Sequence, residues 1–427
     1  MTGVVHVVGA GLAGLSAAVR LADEGRRVAL HEAARQAGGR CRSYHDPALD
    51  LTIDNGNHLL LSGNAAALDY MCRIGAPADA LEGPPQAEFP FADLATGERW
   101  TLRPNGGRLP WWVLDARRRV PGSRALDYLA PLGLFRASPS ARIGAAMDCA
   151  GPLYERLWRP LLLAALNTEP DEAAAGLAAQ LLRETLGAGG RACRPLVAVR
   201  GLSAAFVTPA LAHLEAKGVP VQFGRRLREI VFDDGRVRAL DFGGALRVDL
   251  GPRDAVVLAV PAWIAADFVP DLLVPTLHRA IVNAHFRIAP PPGSPLLLGV
   301  VGGLSEWLFF YPDRVSVTIS GADRLLDEPR EALAERIWAE IVTLTGLPRN
   351  LPPWQIVKER RATFAATPGE TAKRPPARTR FQNLVLAGDW TATGLPATIE
   401  GSVRSGYAAA ALVLKEATAA GRVPVAA

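Results

Sequence analysis

The hexamer Gly9-Ala10-Gly11-Leu12-Ala13-Gly14 constrains this chain more than any other feature. Before it, Val4–Val8 is apolar and rich in β-branched residues, the pattern of a parallel strand buried on both faces. After it, a helical pattern runs from Leu12 to Glu24, Gly25 ends it, and Val28–His31 reads as a second strand. Strand, turn, helix and strand thus fill about 30 residues. In such a unit Gly9 allows the tight turn, Gly11 lets the backbone approach a pyrophosphate, and Gly14 lets the helix pack on the sheet. The helix N-terminus then faces the phosphates. A lone hexamer of this kind is weak evidence, but here it follows a strand and opens a helix, as the motif requires. Glu32 closes the second strand, roughly 20 residues after the first glycine. Its carboxylate can accept hydrogen bonds from ribose hydroxyls, which disfavours a 2′-phosphate and hence NADP.

A second glycine turn, Gly38-Gly39-Arg40-Cys41-Arg42-Ser43, follows. Arg40 can meet pyrophosphate charge; the plainer reading is an exposed basic loop. Two phosphate-facing turns so close together suit FAD better than NAD. Further strand signals lie far downstream. Gly218–Ile230 holds a strand pair with a hairpin turn at Asp233-Asp234-Gly235, Ala255–Val260 is a buried strand, Leu384–Ala387 another, and Ser402–Leu414 a helix. Joined to the first unit, these pieces predict an α/β fold: a Rossmann-type FAD-binding domain assembled from the discontinuous segments 1–65, 200–262 and 376–427. A helix-rich insertion at 66–199, notably Gly151–Leu166 and Asp171–Leu186, and a mixed α+β substrate-binding domain at 263–375, with a helix near Glu331–Thr345, fill the gaps. The Pro-rich stretches Ala289–Pro295 and Pro348–Pro353 read as loops.

Composition narrows the function classes. Hydrophobic residues make up 49%, ample for a core and against disorder. The net charge is +5, from 47 Lys and Arg against 42 Asp and Glu. That excess is either a solvated Arg-rich surface or an attraction to anionic lipid. No basic helix or basic-aromatic module argues for nucleic acid. Cys41, Cys72, Cys149 and Cys193 are widely spaced, so neither a disulfide framework nor a metal site is expected, and a reducing cytoplasm fits. No signal peptide is evident, and no run reaches the roughly 20 apolar residues that span a bilayer. The chain is expected to be cytoplasmic, free or peripheral at the inner face of the membrane.

The N-terminal motifs, with Leu386-Ala387-Gly388-Asp389-Trp390 and Thr398-Ile399-Glu400-Gly401-Ser402 near the end, resemble the amine oxidase and phytoene desaturase superfamily of flavoproteins. Read alone, Gly388–Trp390 is an ordinary strand-to-loop turn. The resemblance implies that Asp389 lies near the FAD pyrophosphate or ribityl chain, and that the helix starting near Ile399 points at the flavin pyrimidine edge. A helix start stabilises negative charge on reduced flavin. It also places Gly56–His58 beside the isoalloxazine, with Asp54 supporting that loop, and the backbone of Leu227 against adenine. The expected FAD contacts are then Gly9, Gly11, Leu12, Ala13, Gly14, Glu32, Ala33, Gly39, Arg40, Gly56, Asn57, His58, Leu227, Gly388, Asp389 and Ile399. No cysteine stands in the closing motif, so FAD is expected to be held non-covalently.

A narrower resemblance rests on Ile53–Asn64, Pro110-Trp111-Trp112, Trp158-Arg159-Pro160-Leu161 and Ala165-Leu166-Asn167-Thr168. Together these look like the squalene-associated branch, the hydroxysqualene dehydroxylases. That implies reductive removal of a hydroxyl from a long isoprenoid during hopanoid synthesis, with an unidentified electron donor for the flavin. The proton donor is His58 or Glu400; His58 in a purely hydrogen-bonding role is the plainer reading. Pro110–Leu114 and Trp307–Tyr311 either line a pocket or pack a core, and Trp158–Leu166 is either core or a membrane-facing entry. A carotenoid-type desaturase would share fold and pocket and differ in the flavin redox state consumed. An amine oxidase is disfavoured, because no tyrosine flanks the closing motif. A prenyl-lipid carrier that had lost catalysis would have no need of Glu32, Arg40 and Asp389.

Overall fold

The computed structural model describes residues 3–420; residues 421–427, the end of the expected FAD-binding segment, lie outside the described residues. Strand β1 (Val4–Val8), helix α1 (Leu12–Asp23) and strand β2 (Arg27–His31) form where the pattern places them. They sit in a five-stranded sheet ordered Leu384–Leu386, Ala255–Leu258, β1, β2, Val221–Gln222, all parallel. Three stretches far apart in sequence therefore build one sheet.

Both faces of this sheet are buried, which is why its strands read as continuous apolar runs. Val5 and Val7 join the core with α1 and the C-terminal helix Ile399–Ala420. Val8, Val256, Leu258 and Leu386 face the opposite way, into a core shared with Ile230, Val237 and Leu240. Those three residues come from an antiparallel three-stranded sheet of Glu229–Asp233, Arg236–Asp241 and Arg247–Asp249. Its first hairpin turns at Asp234 and Gly235, both left-handed (φ 47° and 70°), as a two-residue turn demands.

A second large sheet has seven strands in the order Trp354–Phe364, His278–Phe286, Arg314–Ile319, Trp307–Tyr311, Leu297–Val301, Phe89–Asp93, Arg99–Leu102. One face is covered by the helix Arg330–Thr345 through Leu333, Ile337, Trp338 and Ile341. The other carries Trp307, Phe309 and Tyr311 into the shared core. Strand alternation thus gives Trp307–Tyr311 two jobs, with odd residues on one face and Leu308 and Phe310 on the other. The hairpin Phe89–Leu102 comes from the stretch expected to be helix-rich, yet it completes this sheet.

Two helix expectations shift for local reasons. Gly151–Leu166 carries a π-helical turn at Tyr154–Trp158 before the α-helix Arg159–Leu166. Pro160 has no N–H to give the preceding turn and its ring crowds that turn, so the spiral widens there. Residues 171–174 form a turn and a bridge ahead of the helix Ala175–Glu184, with the Ala174 amide taken by the Ala366 carbonyl at 2.7 Å. The C-terminal helix begins earlier than its apolar pattern, at Ile399, where the Thr398 hydroxyl accepts from the Gly401 amide at 3.0 Å. The four cysteines are unpaired, and among the described residues no helix is long and apolar enough to cross a membrane.

Burial of histidines gives the fold a pH signature. His31 stacks between His6 and Phe242, and burial pushes its imidazole down to about 4; burial likewise pushes His285 down to about 3. Both must be neutral when folded, whereas the unfolded chain binds protons below about 6.5. Stability is therefore full above pH 6.5 and is lost as pH falls from there towards 4, by on the order of 3 kcal/mol for His31. Differential scanning fluorimetry should show the melting temperature falling steadily across that window, with a shallower slope for His31→Phe; a flat profile would refute it.

Candidate functional site

Gly9 turns with φ +104°, and a Cβ on Gly14 would lie 1.8 Å from the Gly9 carbonyl, so α1 can start this close to β1 only without side chains. Gly11 is different: a Cβ there would meet nothing within 4 Å, so its backbone borders open space. No side chain caps α1 and no acidic residue stands in its first turn, which leaves the amides of Leu12, Ala13 and Gly14 aimed past the helix end. The second turn docks on the first. Gly38 donates to the Ala10 carbonyl at 2.8 Å, and Gly39 faces the Gly11 Cα.

The Glu32 carboxylate takes one amide on each oxygen, Ala10 at 2.7 Å and Ala34 at 2.8 Å. Each oxygen keeps a further lone pair for a ribose hydroxyl. Exposed Ala33 lies beside it. The Leu227 side chain is buried, and among the described residues its backbone amide and carbonyl make no hydrogen bond.

Arg40 is engaged within the protein and is still partly exposed. Its Nη2 lies 2.7 Å from both carboxylate oxygens of buried Asp389, and its Nη1 donates to the Ala362 carbonyl at 2.5 Å. The closing turn is fixed from behind by Arg374, which donates to the carbonyls of Asp389 and Thr391. Gly388 follows the strand Leu384–Leu386, and the Trp390 ring fills the space beside its Cα. Gly388, Asp389 and the helix start at Ile399 thus stand with the N-terminal turns.

The loop after Asp54 bridges the two large sheets. Asp54 is buried and accepts from the Ser43 hydroxyl at 2.5 Å and the Leu202 amide at 2.9 Å. Burial pushes its carboxyl above the usual range, against those two bonds. Asn55 joins Arg42 to Glu359, and Asn57 reaches Thr318 at 3.1 Å while Asn283 accepts from its amide. The Tyr311 hydroxyl donates to the Asn57 side-chain carbonyl at 3.4 Å. Gly56 packs on the Asn283 side chain. Tyr311 also borders a cleft of about 480 Å³ beside the Pro290–Pro292 loop. Tyr311 ends the aromatic segment that the sequence offered as pocket or core, whereas Asn283 and Thr318 were not singled out; the one available signal was a lone Asn inside the apolar strand His278–Phe286.

His58 sits at the end of this loop, half-buried, with Nδ1 2.8 Å from the Gly56 carbonyl. That contact fixes the neutral tautomer with the proton on Nδ1 and leaves Nε2 as the open nitrogen. Burial lowers its pKa below the ordinary histidine value. Glu400, the other expected proton donor, is tied down within the fold. Its buried oxygens accept from the amides of Ala66 (3.1 Å) and Ala67 (2.8 Å), at the start of helix α2 (Ala65–Arg73). They also accept from Arg404, which bridges to Glu184. These contacts make Glu400 an anchor between the C-terminal helix and the start of α2. Glu306, half-buried just ahead of the aromatic strand, is a carboxyl missed from sequence; desolvation pushes it up to about 7.

The family model of flavin containing amine oxidoreductases matches residues 12–414. The chain belongs to that family. A hydroxysqualene dehydroxylase of Rhodopseudomonas palustris is 59% identical over 422 residues, covering 99% of this chain and all of the relative. A probable zeta-carotene desaturase of Synechococcus elongatus is 22% identical, over 96% of this chain and 98% of its own. Among solved structures, a redesigned putrescine oxidase superposes with a TM-score of 0.70 at 17% identity, covering 97% of this chain and 99% of that one. The chain is an FAD-dependent oxidoreductase grouping with the hydroxysqualene dehydroxylases. Its residues fit FAD: the uncapped amides at α1, the open space at Gly11, the spare lone pairs of Glu32 and the unbonded Leu227 backbone answer pyrophosphate, ribose and adenine in turn.

Two variants test these assignments. Glu32→Ala should weaken FAD retention by on the order of 10 to 10²-fold, the loss expected for one charge-assisted contact. Full flavin occupancy after dilution and gel filtration would remove the ribose role. Glu400→Gln should lower stability by about 1–2 kcal/mol while the protein stays yellow and active. A collapse of turnover at unchanged melting temperature would restore Glu400 as the acid.

Proposed function

We propose that this chain removes the hydroxyl of hydroxysqualene reductively, yielding squalene for hopanoid synthesis. The observation carrying this reading is the full-length match to the dehydroxylase, at more than twice the identity of the match to the carotene desaturase. The net change replaces a C–O bond by a C–H bond. The hydroxyl leaves as water after taking one proton, and hydride fills the carbon. Bound FAD in its reduced form supplies that hydride.

The chain's own residues would position, dry and protonate. The aromatic face of Trp307, Phe309 and Tyr311, with Phe91 and Trp100 behind it, favours an apolar chain and can steady positive charge on carbon. Trp307 Nε1 is buried without a partner, a donor free for a hydroxyl or departing water. His58 is the proposed acid, acting from Nε2 when protonated, held in place by Gly56 and by the loop that Asn283 and Thr318 secure. An electron donor that returns FAD to its reduced form and a membrane surface that delivers a water-insoluble substrate complete the reading.

Stopped-flow mixing of pre-reduced enzyme with hydroxysqualene, without oxygen, should restore the oxidised flavin spectrum. Bleaching of oxidised flavin by the substrate would instead make the chain a desaturase, and no flavin in the purified protein would point to a carrier. Because burial lowers the His58 pKa, its acid form is scarce at neutral pH. The reoxidation rate should therefore rise as pH falls from 8 towards 6, by up to about tenfold per unit. His58→Ala, with flavin still bound, should slow it by roughly 10²–10⁴-fold and abolish the slope; an unchanged rate would pass the role to Glu306 or water.

A further inference from the structure

The stretch Ala125–Arg136 is a 3₁₀ helix, and three residues per turn make every third side chain share an edge. One edge, Tyr128, Pro131 and Leu134, packs inward. The next is Leu126, Leu129, Leu132 and Phe135, and all four are exposed, Leu126 by 76%. The neighbouring turn Trp111–Leu114 adds Trp111 and Leu114, with Leu109 just before it. Of the twelve large hydrophobics exposed among the described residues, seven fall between positions 109 and 135. The two turns are fastened together from inside: the Trp112 ring meets Tyr128 edge-on at 5.1 Å, and the Tyr128 hydroxyl accepts from the Val120 amide at 2.9 Å.

Charge surrounds this patch with one sign. Arg108, Arg117, Arg118, Arg119, Arg124 and Arg136 belong to the same stretch, against only Asp115 and Asp127. Both aspartates are engaged locally, Asp115 by Arg117 and Asp127 by the Arg124 amide. Arg118 lies over the Trp111 ring at 4.7 Å, and Arg183 over Phe135 at 5.5 Å.

We propose that this patch is a membrane-docking face, with the leucine edge entering the acyl boundary of an anionic bilayer and the arginines meeting its headgroups. A second copy of the chain would bring two arginine sets face to face, which like-charge repulsion opposes. Of the apolar segments that stand out in the sequence, Pro110–Leu114 gives the patch Trp111 and Leu114, while Trp158–Leu166 takes no part. Trp112, Trp158, Leu162, Leu163 and Leu166 are buried, and Arg156 lies over Trp100 and pairs with Glu98. From the patch, aromatic contacts run inward through Tyr128 and Trp158 to the core holding Trp307 and Tyr311. The purpose of docking rests on the isoprenoid reading, but the docking itself can be measured with no substrate present.

The test uses the FAD-loaded protein and sedimented vesicles of phosphatidylcholine, with and without phosphatidylglycerol. Binding is expected at low salt to the anionic vesicles. Leu129→Ser with Leu132→Ser should weaken it by on the order of 10²-fold while flavin content and melting temperature hold. Arg117→Gln with Arg124→Gln, independent of the leucines, should weaken binding to anionic vesicles by roughly tenfold and leave neutral ones unaffected. Absence of wild-type binding, or wild-type binding by both variants, would overturn the proposal. So would a leucine variant that converts a dimer to a monomer in sedimentation velocity yet still binds vesicles.

Discussion

The contact between Arg40 and Asp389 joins positions 349 residues apart and closes the site at both ends of the chain. Asp389 is nearly inaccessible to water, so its charge is tolerable only with a partner. Arg40 reaches it because Gly38 and Gly39 turn the chain back over the start of α1. Asp389 stands there because the strand Leu384–Leu386 pairs with Ala255–Leu258, which pairs with β1. Losing Arg40 would leave the buried Asp389 charge without its partner. The pair therefore makes the sheet's assembly and the phosphate turns one event. It also neutralises much of the Arg40 charge, next to the uncapped amides at the start of α1.

A second seam ties this half to the seven-stranded sheet. Asn57 and Gly56 lie on Asn283 and Thr318, while Asp54 holds the chain at Leu202. Buried amides and carboxyls tolerate such a position only when hydrogen-bonded, so the seam has one register. His58 inherits its place from it, and the Gly56 carbonyl sets its tautomer. The aromatic strand Trp307–Tyr311 lies on the same seam, which brings an apolar face and a titratable ring to one region.

The first βαβ unit was legible because each of its demands is local: β-branched strand, glycine turn, helix, carboxylate. The downstream strands of the same sheet were also readable as buried runs, although their order was not. The hairpin Phe89–Leu102 was missed, since its two short strands gain stability only from a sheet built 200 residues later. The same holds for residues 171–174, where a distant carbonyl takes the Ala174 amide. Trp158–Leu166 and Leu126–Phe135 look equally apolar in sequence, yet one is core and the other surface. Composition counts carbons, and only neighbours decide whether water reaches them.

By itself the sequence determined the glycine turn, the carboxylate that closes the second strand, the parallel sheet and the flavoprotein family, because these depend on residues within a few turns of one another or on motifs in order. Tertiary structure alone decided what the long-range charges do. Glu400 and Glu32 are both glutamates beside helix starts, and only folding sent one to anchor α2 and left the other with lone pairs for a ligand. The role of a charged side chain is set by which groups satisfy it and how much water remains, and for Arg40, Asp389, Glu400 and His58 those groups arrive across distances that no local pattern encodes.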